Sequence, residues 1–173
     1  MAIYNPAGVA SARNRNAIWV DAIANEQAPK LTEVTSLTAS LDISCWLNVD
    51  WDGFSAEQNK EAPDERWCGT KFESMGDVEY TVGDLVYVVD PQATTSDGTA
   101  RAAAILTEGK RGFLVIRRGK GMDLPLAVGD KVDVLACQLG APVPDRTGKN
   151  EPLRDRQAVA VIGSVARNVA LVA

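Results

Sequence analysis

Apolar positions in this chain recur mostly at strand spacing, in short runs bounded by Gly, Pro and Asp. Val78-Glu79-Tyr80-Thr81-Val82 alternates, Leu85-Val86-Tyr87-Val88-Val89 runs to a stop at Asp90-Pro91, and Gly112-Phe113-Leu114-Val115-Ile116-Arg117-Arg118-Gly119 is apolar inside and charged at its end. Between the last two, Asp97 can cap a helix over roughly 99–108, with a narrow face of Ala102, Ile105 and Leu106 and an end at Gly109. Strand, strand, helix, strand with this punctuation predicts a mainly β module carrying one short helix. Little in it is chemically reactive, so the pattern suggests a building block before it suggests a catalyst.

The rest of the chain predicts further strands and two long connections. Ala17-Ile18-Trp19-Val20 reads as a strand after an aperiodic start, so residues 1–16 are expected to form an extended arm. Leu31, Val34, Leu37 and Leu41 have helical spacing behind Thr32, although Thr32, Thr35 and Thr38 oppose a long helix. Ile43 to Leu47 and Val49 to Trp51 read as strands, as does Arg66 to Phe72. Residues 55–65 are polar with no apolar anchor and predict a loop that is functional or docks on a neighbour. Residues 119–130 hold Pro125 and three glycines and predict a second loop, ahead of a strand from Lys131 to Leu139. The tail predicts two strands, Leu153 to Ile162 and Val165 to Val172, turning at Gly163-Ser164. Both faces of Ala158-Val159-Ala160-Val161-Ile162 are apolar, which requires cover on two sides, by a helix or by another subunit.

With 173 residues the chain is expected to form one domain over 1–173 that buries roughly 70% of its unfolded surface. The N-terminus lacks a basic segment followed by an apolar run, and no window reaches the roughly 18 apolar residues of a membrane helix, so neither secretion nor a membrane is expected. A net charge of −5 opposes adhesion to nucleic acid. Cys45, Cys68 and Cys137 are odd in number and widely spaced, which predicts buried, reduced thiols and neither a disulfide framework nor a metal knuckle.

The chain has no histidine, which removes the Ser-His-Asp and Cys-His mechanisms and the commonest metal ligand. Gly119-Lys120-Gly121 fits no phosphate-loop spacing and reads as a hairpin loop. Asp50, Asp52, Glu57 and Glu61 match no EF-hand or glycosidase spacing and read as solvated loop charges. No catalytic residue, cofactor or metal is therefore expected. Arg117-Arg118 has two readings, recognition of an anion or partner carboxylate, and an edge charge that discourages misplaced strand pairing. Trp19, Trp46, Trp51 and Trp67 read as core or interface anchors more than as a platform for bases.

The order of these blocks resembles the major tail tube protein of long-tailed, non-contractile bacteriophages, of the kind that infects actinobacteria. The blocks are Asp42-Ile43-Ser44-Cys45-Trp46-Leu47, Phe72-Glu73-Ser74 with Val78-Glu79-Tyr80, Tyr87 to Pro91, Gly112 to Gly119, Gly129-Asp130-Lys131-Val132-Asp133-Val134 and Leu139-Gly140-Ala141-Pro142. The resemblance implies a β-sandwich or partly open β-barrel with one flanking α-helix. It also implies a structural virion protein that self-assembles into stacked hexameric rings, the hollow tail tube through which DNA is ejected. Its partners would be further copies and the tape measure, terminator and distal tail proteins, with genomic DNA passing unbound; it would be assembled in the host cytoplasm. Six copies at −5 each would place about −30 on a ring, which repels DNA in the lumen.

Candidate inter-subunit contacts are Arg13, Arg15, Glu57, Asn59, Glu61, Arg117 and Arg118. Two alternatives compete: a related ring protein (tail terminator, baseplate or secretion tube), and a small β-barrel ligand-binding module using Arg117, Arg118 and loop carboxylates.

Overall fold

The computed structural model of the chain describes residues 13–48, 50–61, 74–92 and 98–173. Its strands are β1 (Arg15–Val20), β2 (Ser40–Asp42), β3 (Phe54–Glu61), β4 (Ser74–Val82), β5 (Leu85–Val88), β6 (Arg111–Arg118), β7 (Lys131–Pro144) and β8 (Arg154–Ala170). The helices are α1 (Leu31–Val34) and α2 (Gly98–Ile105). Six strands make one antiparallel sheet in the order β2-β1-β6-β7-β8-β5, and β3 and β4 make a separate two-stranded ribbon. The fold is mainly β with few helical residues, as the strand spacing predicts, and its large sheet is a curled half-barrel, in keeping with the partly open barrel that the resemblance implies.

The centre of the sheet is buried on both faces because alternate residues of β1, β6 and β7 feed two cores. Ala17, Trp19, Leu114, Ile116, Leu135, Cys137 and Leu139 point into the larger core, which Ala102 of α2 and Leu106 just beyond it close from above. Ile18, Val20, Val115, Val132 and Val134 point into the second, covered by Val34 of α1 and by Leu171. Gly112 in β6 is a packing requirement: a Cβ there would lie 2.7 Å from the Trp19 ring and 2.7 Å from the Val20 carbonyl oxygen. The Trp19 ring therefore occupies the space that a side chain at position 112 would need.

The curl brings the two edges of the sheet together. After β2 pairs with β1, the chain crosses to the opposite edge, where Leu47 bridges Tyr87 of β5, Asn48 N donates to Val86 O (2.8 Å) and Val88 N donates to Trp46 O (3.1 Å). Ile43 to Leu47 is thus a turn with one bridge, where the apolar run predicts a strand: Trp46 N and Leu47 N both donate back to Ile43 O (3.0 and 3.1 Å). The helix expected through Leu41 stops at Val34. The Thr35 hydroxyl donates to Leu31 O (2.8 Å), and Leu41 joins β2 instead.

Three further expectations change. Residues 55–61 of the expected polar loop belong to strand β3, which pairs with β4 from Phe54–Val82 to Glu61–Ser74. The two expected tail strands are one 17-residue strand, β8. Between the pairs Leu135–Val165 and Cys137–Val161, β8 carries two more residues than β7, and Gly163-Ser164 lies in that bulge. Cys45 is exposed, whereas Cys137 is buried. Arg15 and Asn16 of the expected arm already belong to β1; residues 1–12 of that arm, the strand at Arg66–Phe72 with Trp67 and Cys68, and the Asp97 cap lie outside the described residues.

Candidate assembly surfaces

The ribbon β3–β4 projects from the half-barrel with little of its own to bury. Its base is anchored where Phe54 lies beneath two guanidinium groups, Arg118 and Arg167, each 5.9 Å from the ring centroid, and 6.4 Å from the Tyr80 ring. Further out the strands are held by polar pairs, the Ser55 and Thr81 hydroxyls at 2.7 Å and Gln58 Nε2 donating to Gly76 O at 3.0 Å. Glu57 lies opposite Glu79 in register, a like-charged pair. Met75 is 67% exposed, and Glu57, Asn59 and Val78 are exposed as well. Among the described residues neither outer edge of the ribbon pairs with a strand.

Beside the ribbon base, Arg15 opens β1 with its guanidinium 6.0 Å from the Trp51 ring, and Trp51 Nε1 donates to Gly83 O (3.1 Å). Arg118 ends β6 and pairs at 2.6 Å with Asp133, a carboxylate that is itself buried. Arg13 is exposed, with a left-handed φ of 59° where the described chain begins. The structure therefore gathers Arg15 and Arg118 around aromatic rings near β3, which carries Glu57, Asn59 and Glu61.

Arg117, in contrast, faces the interior. It is 1% exposed and makes six hydrogen bonds. Nε and Nη2 donate to Asn16 Oδ1 (3.1 and 2.7 Å), Nη1 to Asp130 Oδ2 (3.0 Å) and Pro125 O (3.1 Å), and Nη2 also to Gly121 O (2.9 Å) and Leu124 O (2.7 Å). Lys120 Nζ pairs with the other oxygen of Asp130, and the Ala127 amide donates to Asp130 Oδ2 (3.1 Å). Burial pushes the Asp130 carboxyl upward, but the hydrogen bonds from Lys120, Arg117 and Ala127 outweigh it and hold its pKa below the ordinary value. Gly119-Lys120-Gly121 is the start of the β6–β7 hairpin loop, as its spacing suggests. Asn16, Lys120 and Asp130 carry no motif; only the position of Asp130, one residue after Gly129 (φ 91°) and one before a strand, marks it as a turn-forming carboxylate.

A groove of about 490 Å³ runs between α1 and this loop, lined by Leu37, Trp46, Met122, Leu124 and Leu126 with Asp42 and Asp123. Across the molecule, Ala158, Ala160 and Ile162 of β8 are exposed while Val159 and Val161 pack on the larger core, so the described residues cover only one of the two apolar faces. Asp50, Asp52 and Asp84 share a shallow depression with Arg156. Among the described residues no three carboxylates or cysteines are grouped to hold a metal, and no helix is long and apolar enough to cross a membrane.

Among the described residues, a half-barrel with a ribbon that pairs with no other strand and an exposed apolar strip defines a β subunit with surfaces suited to association. The chain belongs to the phage tail tube protein family, whose sequence pattern matches residues 3–173. No curated protein matches the chain. Membership makes it a structural protein of the phage tail that assembles into oligomers with other tail components.

Proposed function

We propose that this chain is the repeating subunit of the tail tube of a long-tailed, non-contractile phage, forming hexameric rings that stack into a conduit for DNA ejection. One domain carries this role, extended at its N-terminus by an arm. The observation that carries the reading is the β3–β4 ribbon, a two-stranded sheet whose outer edges pair with no other strand among the described residues, with exposed Met75 and Val78, which a neighbour's sheet can complete. The uncovered Ala158, Ala160 and Ile162 strip supports it, because a strand apolar on both faces needs a second cover. Arg13, Arg15, Glu57, Asn59, Glu61 and Arg118 contribute contacts between subunits, while the net negative charge keeps DNA from adhering.

Assembly takes place in the host cytoplasm, with tape measure, terminator and distal tail proteins setting the length and ends of the tube. Negative-stain microscopy of the purified chain across a concentration series, paired with light scattering, tests this. Stacked six-fold rings with an open channel are expected. Single or double rings that never stack point to a terminator-type ring protein, and a strict monomer at every concentration contradicts the reading.

A further inference from the structure

We propose that Arg117 is a positioning residue for assembly: it holds loop 119–130 in a fixed conformation that presents Leu124 and Val128 to a second copy of this chain. The inference rests on the tail tube reading for the identity of the partner, but its structural basis is independent. The loop contributes three backbone carbonyls to one guanidinium, those of Gly121, Leu124 and Pro125, and its last residue, Asp130, supplies the counter-charge. Asn16 adds the β1 end of the node. Its Oδ1 accepts from Arg117 Nε and Nη2, its Nδ2 donates to Met122 O (3.2 Å), and Met122 N donates to Arg13 O (2.8 Å).

Two segments about a hundred residues apart, the start of β1 and the loop, are thus locked as one body. Lysine could neutralise Asp130 but has no planar fork to serve Asn16 and three carbonyls at once. The loop so held exposes Leu124 (52%) and Val128 (58%). A surface loop that is fixed before contact loses little freedom on docking, so large apolar side chains held out on it favour association.

A second copy is the partner because the chain itself carries the complement. The β8 strip from Ala158 to Ser164 has no charged residue and is exposed at Ala158, Ala160 and Ile162, on a different part of the molecule. Two different patches meeting head to tail make a heterologous contact, the kind that closes into rings or extends into tubes.

The test compares the full chain with Arg117→Lys, Asn16→Ala and the double variant Leu124→Ser/Val128→Ser, each followed by hydrogen exchange at the Met122, Leu124 and Ala127 amides and by sedimentation of assembled material. In Arg117→Lys these amides should exchange at least about tenfold faster while strand amides of β6 and β7 keep their protection, with assembly reduced by a similar factor. Asn16→Ala should show the same pattern more weakly, and serves if Arg117→Lys fails to fold. The double variant should keep loop protection and still lose assembly. The proposal is overturned if loop protection survives in both Arg117→Lys and Asn16→Ala, if protection falls while assembly is unchanged, or if the double variant assembles like the parent. A parent chain that never assembles instead overturns the tail tube reading on which the partner depends.

Discussion

The sheet centre and the ribbon are built from the same kind of secondary structure but obey different rules. In β1, β6 and β7, alternate residues enter two cores, and Leu114, Val115, Val134 and Leu135 are sealed from solvent. In β3 and β4, Ser55, Glu57, Asn59, Lys60, Asp77 and Glu79 are all exposed, and Phe54 and Val82 at the base pack against the body. The first region is specified by burial within one subunit. The second has hairpin pairing without a core of its own, and an isolated two-stranded hairpin is marginal in water. On the proposed assembly, a neighbouring subunit supplies the cover that it lacks.

Substitutions should separate the two regions by size of effect. Arg117→Met removes one member of a buried charge pair and leaves Asp130 buried beside Lys120 alone, which should cost roughly 3–5 kcal/mol in chemical denaturation. Leu114→Ala opens a cavity in the larger core and should cost about 2–5 kcal/mol by the same measurement. Gly112→Ala forces a methyl against the Trp19 ring and should cost about 1–3 kcal/mol, with a changed near-ultraviolet tryptophan signal. Met75→Ser and Val78→Ser should each move subunit stability by no more than about 0.5 kcal/mol, because neither side chain is buried, yet weaken assembly seen by light scattering. A large stability loss from either ribbon substitution would erase the contrast.

Titration probes the body through three groups, Asp130, Cys137 and Tyr87. Asp130 has a lowered pKa, so its contribution is present above the ordinary carboxylate value of 3.8 and is lost as pH falls below it. Burial pushes the Cys137 thiol from 9.0 to about 12, and burial with the nearby Asp155 charge pushes the Tyr87 phenol from 10.0 to about 12. Both groups stay neutral in the fold while the unfolded chain ionises. Stability should therefore decline as pH rises from 9 toward 12 and be flat near neutrality. Denaturation midpoints across pH check both limbs, and Cys137→Ala should remove part of the alkaline decline.

How far the sequence could be read follows the same division. β6 was legible because its apolar run is buried on both faces and bounded by Gly112 and Gly119, and the helix face of Ala102 and Leu106 was legible because it meets that core. The ribbon was not, because periodicity records burial within the chain and residues 55–60 have none. Gly163-Ser164 looked like a turn because Gly marks bulges and turns alike, and only the longer count of residues in β8 than in β7 distinguishes them. Arg117 was legible as a charge at a strand end, but its inward role depends on Asn16, about a hundred residues earlier.

Replacing residues 57–79 with a two-residue turn asks whether the body folds by itself and whether the ribbon serves assembly. Denaturation and electron microscopy are then run on the same sample. The account predicts a cooperative unfolding transition within about 1 kcal/mol of the parent and no rings or tubes at concentrations where the parent forms them. Tubes from the shortened chain, or loss of its cooperative fold, would contradict it.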